Sequence, residues 1–166
     1  LYRMGSKGLE EIADPSGLLL IQRAGEMPPG VAVAIVHEGS RALLVEIQAL
    51  AVPAKAGITR VYSDRIDASR VARVAAVIEK QTGLRLSDQD LYVNVAGGVR
   101  LAEPGIDLAL AAALYSARTG QPLPKGAALA GELSLAGELR PVRQMAKRAK
   151  AAKALGFSMV LGPAEG

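Results

Sequence analysis

The chain of 166 residues has room for one domain with a single sizeable core. Half of its residues are hydrophobic but only 3% are aromatic, so we expect a core of alanine, valine, leucine and isoleucine. The absence of cysteine and the presence of one histidine exclude a disulfide framework, a thiolate zinc site and a histidine metal cluster.

The charge balance favours anionic partners. The formal net charge is +4 and the isoelectric point is near 9.6, although a modest basic excess is also common on ordinary soluble domains. The longest apolar run, residues 30–36, is far shorter than the roughly 20 residues that span a bilayer. Residues 1–11 carry charges where a signal peptide would be apolar. We therefore expect a cytoplasmic protein with no membrane partner.

Glycines and prolines interrupt residues 1–30 repeatedly, which predicts a loop-rich N-terminal arm followed by the folded domain at residues 31–166. The arm carries Leu9, Ile12 and the apolar run 18–20. These are too many apolar side chains for a free tail, so we expect the arm to dock on the body or on a neighbouring subunit.

Residues 31–36 and 41–52 are rich in β-branched and aliphatic residues, and the turn between them predicts an antiparallel hairpin. Another short strand is predicted at residues 59–63. The helical spacing of Val71, Val74 and Ile78 then predicts an amphipathic helix that ends at Gly83.

The second half predicts a strand at 91–95 and a buried helix from Pro104 through Leu114 to near Gly120. The repeated Gly-Glu-Leu at 131–133 and 137–139 predicts a hairpin within interrupted strands at 127–139. A helix at 142–155 and a strand at 158–161 follow. This order favours an α+β fold whose helices cover one side of a curved sheet.

The last predicted helix is strongly basic, because no acidic residue lies between Leu139 and Ala164. Its helical period places Arg143, Lys147 and Lys150, here called the basic ridge, on one stripe opposite the apolar face. The ridge suits phosphate binding. The alternative is a solvated face whose cations complement the helix C-terminus.

Other candidate groups have structural explanations. The carboxylates Asp64, Asp67, Asp88 and Asp90 fit helix capping and turns, with Asp67 at an N-cap position. Glu103 and Asp107 flank the first turn of the buried helix, where they complement its dipole. His37 is expected on the surface. Gly97-Gly98 lacks the spacing of a phosphate-binding loop, so no catalytic, cofactor or metal site is predicted.

Several ordered motifs together resemble a known family. They are VEIQAL at 45–50, VIEK at 77–80, DLYVNVAGG at 90–98, EPGIDLA at 103–109 and GELSLAGELRPV at 131–142. Over nearly the whole chain they are similar to the Lon-protease-like C-terminal domain of bacterial RadA/Sms DNA-repair ATPases. GLEEI at 8–12 and DPS at 14–16 resemble the segment that joins that domain to the ATPase.

The resemblance implies a fold like the proteolytic domain of Lon and the second domain of ribosomal protein S5. It also implies a hexameric ring of copies, with DNA, the protein's own ATPase domain and the RecA recombinase as further partners. ATP, magnesium and zinc are expected only in domains outside this chain. ATP-driven branch migration accordingly belongs to the whole protein.

Lon proteases use a serine nucleophile and a lysine base. The resemblance places Glu103 at the serine position and Ala146 at the lysine position, with Lys147 turned about 100° away. Proteolysis is therefore not expected, and the domain is predicted not to be an enzyme.

The main hypothesis is a non-catalytic ring scaffold that binds DNA through its phosphates, without sequence preference. Few aromatic residues are available for base stacking, which disfavours a single-strand platform of the stacking kind. The predicted DNA-binding residues are Arg60, Arg65, Arg70, Arg73, Arg140, Arg143, Lys147, Arg148 and Lys150. The alternatives are a purely structural oligomerisation module and an active Lon-type serine protease.

Overall fold

The computed structural model describes residues 2–5, 8–11, 20, 21 and 23–163. Within them three α-helices accompany a mixed sheet, which confirms the α+β class. The helices are α1 (Ala68–Thr82), α2 (Asp107–Thr119) and α3 (Met145–Ala154). The strands are β1 (Tyr2–Gly5), β2 (Gly8–Glu11), β3 (Val31–Glu38), β4 (Arg41–Pro53), β5 (Val61–Ser63), β6 (Gln89–Val95), β7 (Ala127–Leu129), β8 (Glu132–Leu133), β9 (Leu139–Arg140) and β10 (Met159–Leu161).

The central sheet has six strands in the order β10-β7-β3-β4-β6-β5. β3 and β4 form the predicted antiparallel hairpin, and β6 extends it antiparallel to β4. β7 joins β3 in parallel, and β10 and β5 add parallel strands at the two edges. The small hairpin β8-β9 is also confirmed.

The helices cover both faces of the sheet, so the expectation of one covered side was wrong. α1 and α2 pack on the face that presents Ala34 and Val36 of β3. α3 packs on the other face, where Ala152 contacts the cluster around Val33 and Ile35. The reason lies in β3, whose first six residues are all apolar and all buried, as in strands covered from both sides.

Local signals explain the helix ends. Asp67 accepts a hydrogen bond from Ser69 N at 3.1 Å as the predicted N-cap of α1, and Gly83 closes that helix in a left-handed conformation. α3 begins at Met145 and not at residue 142, because Gln144 has a positive φ of 59°. The turn Pro104–Ile106 is a 3-10 helix that leads directly into α2.

Part of the N-terminal arm is structured. β1 and β2 pair as an antiparallel hairpin where a loop was predicted. Leu20 packs against the core beneath α3, as expected for a docked arm. Ile12, Leu18 and Leu19 lie outside the described residues. No helix in the described part of the chain is long and apolar enough to cross a membrane.

Candidate nucleic-acid interface

The basic ridge is exposed, but only Lys147 and Lys150 lie on α3, because Arg143 precedes the left-handed Gln144 and so falls outside the predicted helical stripe. Arg143, Lys147 and Lys150 all face solvent, and Lys153 extends the positive surface by nearly one turn. Lys147 Nζ lies 3.4 Å from the carbonyl oxygen of Ser40, at the turn between β3 and β4. Within residues 23–163, none of the ridge residues forms an ion pair. Their charge is therefore available to a phosphate group.

Arg148 is buried, which corrects its prediction as a DNA-binding residue. Its side chain is only 2% exposed and pairs with the carboxylate of Glu103. Its guanidinium also donates to the carbonyl oxygens of Ile35 and Arg143, both at 2.8 Å. A group enclosed in this way cannot reach a DNA phosphate.

The Arg148–Glu103 pair connects α3 to the turn before α2. Glu103 also accepts a hydrogen bond from the backbone N–H of His37 at 2.9 Å, so its carboxylate also binds the C-terminal end of β3. Gly105 lies against this pair, because a Cβ there would stand 2.8 Å from Glu103 Oε1 and 3.0 Å from Arg148 Nη1. His37 is half-buried and not a surface residue, and its Nε2 has no hydrogen-bond partner in the described structure.

The remaining predicted arginines do not form one surface with the ridge. Arg70 is half-buried and donates to Asp107 Oδ1 at 2.7 Å, so it joins α1 to α2. Asp107 also accepts from the backbone N–H of Leu133 at 3.0 Å. Arg73 is exposed on α1, which lies on the sheet face opposite to α3. The predicted set is thus split between two faces.

The other three members of the set are exposed at separate places on the surface. Arg60 and Arg65 flank the edge strand β5, and Arg140 lies on β9. Their side chains form no ion pair in the part of the chain that the structure describes.

A further buried pair was not predicted. Glu46, at 1% exposure in the middle of β4, receives two hydrogen bonds from Arg23, at 2.5 and 2.9 Å, and one from Gln48 Nε2 at 2.8 Å. The hydrogen bond to Glu46 raises the pKa of Arg23. Lys125 Nζ donates to the carbonyl oxygen of Arg23 at 2.7 Å. These contacts hold the C-terminal part of the arm on the sheet.

This pair borders a cavity of about 330 Å³ between the arm and the sheet. Apolar side chains, among them Leu20, Met27 and Phe157, form most of its wall. The sequence contained only a weak signal for the Arg23–Glu46 pair, namely that Glu46 is a carboxylate within an apolar strand. Its partner lies 23 residues earlier, in a segment predicted as loop.

A family model described as "Subunit ChlI of Mg-chelatase" matches residues 45–166, about three-quarters of the chain. The chain belongs to this family. The match covers most of β4, all of α1, α2 and α3, and the whole basic ridge. Within the described residues, no group of three or more histidine, aspartate or glutamate side chains is placed to hold a metal ion.

The chain is also similar to curated proteins called DNA repair protein RadA, which confirms the predicted resemblance at that level. It is 56% identical to the one from Treponema pallidum over 98% of this chain and 36% of that protein. The identity is 43% with the Brucella abortus protein, over 95% of this chain and 33% of that one. For Halalkalibacterium halodurans it is 40%, over 98% and 35% respectively. The chain thus spans about a third of the length of these relatives.

Proposed function

We propose that this chain is a non-proteolytic, Lon-like scaffold domain of a RadA-type DNA-repair protein. In this role it assembles into a ring, expected to be hexameric, and binds DNA without sequence preference. The similarity to proteins called DNA repair protein RadA over nearly the whole chain supports the repair role. ATP hydrolysis and branch migration are assigned to the parts of such a protein outside this chain.

The basic ridge is the observation that carries the DNA-binding proposal. Lys147 and Lys150 lie on the exposed side of α3 and Arg143 is exposed just before it, and none of the three forms an ion pair within residues 23–163, while the buried Arg148 fixes the same helix to the sheet. No acidic residue between Leu139 and Ala164 offsets the charge. Phosphate neutralisation by such cations supplies affinity for any sequence.

The place of Glu103 supports the absence of proteolysis. A carboxylate that pairs with Arg148 and accepts from His37 N cannot act as the serine nucleophile of a Lon protease. Ala146, the residue matched to the catalytic lysine, has no basic group. Casein digestion monitored with a serine-reactive probe tests this, and labelling of the chain together with cleavage would favour the protease alternative.

The ridge is tested by reversing charge at two positions. We expect the Lys147→Glu, Lys150→Glu variant to bind duplexes of every sequence more weakly, because the phosphate backbone does not vary with sequence. The logarithm of the binding constant falls linearly with the logarithm of the salt concentration. Each lost phosphate contact reduces the steepness of this line, the salt slope, by about 0.9, so the loss of two contacts reduces it by about 1.8. Fluorescence polarisation on a labelled duplex at several salt concentrations measures both quantities.

The matched control is Lys80→Glu, Arg85→Glu, which changes the net charge equally at exposed positions away from α3. This control should keep the slope of the parent chain. If the ridge variant and the parent have equal affinity and equal salt slope, the ridge does not bind DNA.

Assembly is followed by light scattering of the chain at micromolar concentration, with and without DNA. A ring predicts a mass several times that of the 17.2 kDa chain. A monomer under both conditions would refute the ring for this chain. Assembly without any DNA binding would favour the purely structural module.

A further inference from the structure

Three large side chains form a row across the open part of the sheet. Leu50 of β4 lies opposite Tyr92 of β6, and Tyr92 lies opposite Tyr62 of β5. Their exposures are 56%, 41% and 44%, so no described element covers them. α3 packs on the same face against Val33 and Ile35 of β3 and Leu44 of β4, whereas Leu50 lies six residues further along β4, where this face of the sheet is accessible.

The two tyrosine rings stack on each other. Their centroids are 4.6 Å apart and their planes differ by 13°, a nearly parallel arrangement. Because β5 is an edge strand, no other strand among the described residues flanks the outer side of Tyr62. The stack can therefore be continued by another flat aromatic group.

Amide side chains form the next row of the same face. Asn94 Nδ2 donates to Gln48 Oε1 at 3.2 Å, and these two residues lie opposite each other in β6 and β4. With Leu50, Tyr62 and Tyr92 they line a shallow open concavity of about 320 Å³. Amides beside stacked rings present the donors and acceptors that recognise the edges of nucleobases.

The surroundings of the row are positively charged. Lys55, Arg60 and Arg65 are exposed on the segments that flank β5, against one exposed acid in that stretch, Asp64. Arg60 directly precedes β5, and its carbonyl oxygen accepts a hydrogen bond from Leu91 N at 2.8 Å, so it lies beside the row. The Arg60 guanidinium has no ion-pair partner within residues 23–163.

We propose that this face binds single-stranded nucleic acid by stacking a base on the outer face of the Tyr62 ring, whose other face stacks on Tyr92. Arg60 contacts a phosphate, and the exposed Asn94 hydrogen-bonds to a base edge. The proposal rests on the proposed function in taking nucleic acid as the partner, but it assigns a second surface with a different chemistry. A duplex cannot use it, because its bases are already stacked and paired.

A second copy of the chain is a less suitable occupant. Stable protein interfaces bury about 800 Å² on each partner, with an apolar centre. This row offers three large side chains bordered directly by amides and cations. A single strand needs only ring faces and nearby positive charge, as on sheets that stack two or three bases.

The test compares Tyr62→Ala, Tyr92→Ala with the matched control Tyr62→Phe, Tyr92→Phe, which keeps both rings. The probes are a labelled oligothymidine, an abasic strand of the same length and a duplex, each titrated by fluorescence polarisation. We expect the alanine variant to bind oligothymidine at least about 10-fold more weakly, because each stacked base contributes roughly 5-fold to over 100-fold in affinity. Its affinities for the abasic strand and the duplex, and its salt slopes, should stay unchanged. Thermal melting checks that both variants remain folded.

Intrinsic fluorescence gives a direct readout of stacking. The chain has no tryptophan and four tyrosines, so its emission comes from tyrosine. Oligothymidine should quench this emission in the parent by more than the abasic strand does. The phenylalanine variant should bind with the parent's affinity but lose that extra quenching.

The outcomes separate this proposal from the general one. If the ridge variant loses DNA while the alanine variant binds oligothymidine like the parent, base stacking is refuted and the proposed function stands. If the parent binds no nucleic acid, both proposals fail. If the alanine change alters the mass by light scattering and leaves oligothymidine affinity intact, the face is a contact between copies and the proposal is overturned.

Discussion

Replacing Arg148 by methionine tests whether this arginine is structural. Methionine keeps an apolar stem of similar length, so the change chiefly removes the guanidinium. The Ile35 carbonyl then loses a partner in a buried position, and the Glu103 carboxylate loses its ion pair. Both effects destabilise the folded state.

The expected size follows from burial. Removing one partner of a buried ion pair costs about 3–5 kcal/mol. Glu103 is 22% exposed and can regain some hydration, which favours the lower end, about 3 kcal/mol. For a chain of this length each kcal/mol lowers the melting temperature by roughly 2–4 °C. We therefore expect a decrease of about 6–12 °C.

Circular dichroism during heating and urea titration measures the loss, with Lys147→Met as the control from the adjacent, exposed position. The control should stay within about 0.5 kcal/mol of the parent chain. At a temperature where both are folded, Arg148→Met should keep the salt slope for duplex DNA and Lys147→Met should lower it. A loss under about 1 kcal/mol in Arg148→Met, or a lowered slope, would refute the structural role.

Two further predictions concern single residues. Hydrogen bonds from the backbone N–H of Ser87 and of Leu86 lower the pKa of Glu79. In this pH range the unfolded chain therefore binds more protons than the folded chain. The stabilisation that Glu79 gives the fold is lost as the pH falls below about 4.5 towards the lower pKa of Glu79 in the folded state. Urea midpoints of Glu79→Gln should fall less steeply there than those of the parent, and parallel curves would contradict this. Gly30→Ala should destabilise more than Gly39→Ala in thermal melts, because both have positive φ but only the Gly30 Cβ would meet a neighbour, 2.2 Å from Ala49 O. Equal melting temperatures would show that the close approach is relieved.

The sequence predicted the elements whose signals are local. The hairpin of β3 and β4 followed from two aliphatic runs around a turn, and α1 followed from apolar spacing between a capping aspartate and Gly83. Periodicity placed the start of the last helix at residue 142, three residues too early, because Gln144 takes a left-handed conformation that few residues other than glycine adopt. Its apolar stripe was correct for Ala152, which is fully buried.

The candidate site was harder to predict because its decisive contacts are distant along the chain. Charge counting assigned Arg148 to the surface, although it lies three residues after Met145 and four before Ala152, on the stripe that faces the core. The tyrosine stack joins residues 30 positions apart through a parallel strand pairing. No local pattern around Tyr62 or Tyr92 contains that register, and the low aromatic content of the chain argued against a base-stacking surface.

The two-sided burial of β3 also bears on how the protein tolerates mutation. In a strand with one open face, every second position can change with little effect on the stability of the fold, as at Tyr92 and Asn94 of β6. In β3 the residues from Val31 to Val36 have no such alternate positions, because one set contacts the core beneath α1 and α2 and the other contacts the core beneath α3. Substitution there is confined to apolar side chains of similar volume, whereas β6 can vary at its surface while the fold persists.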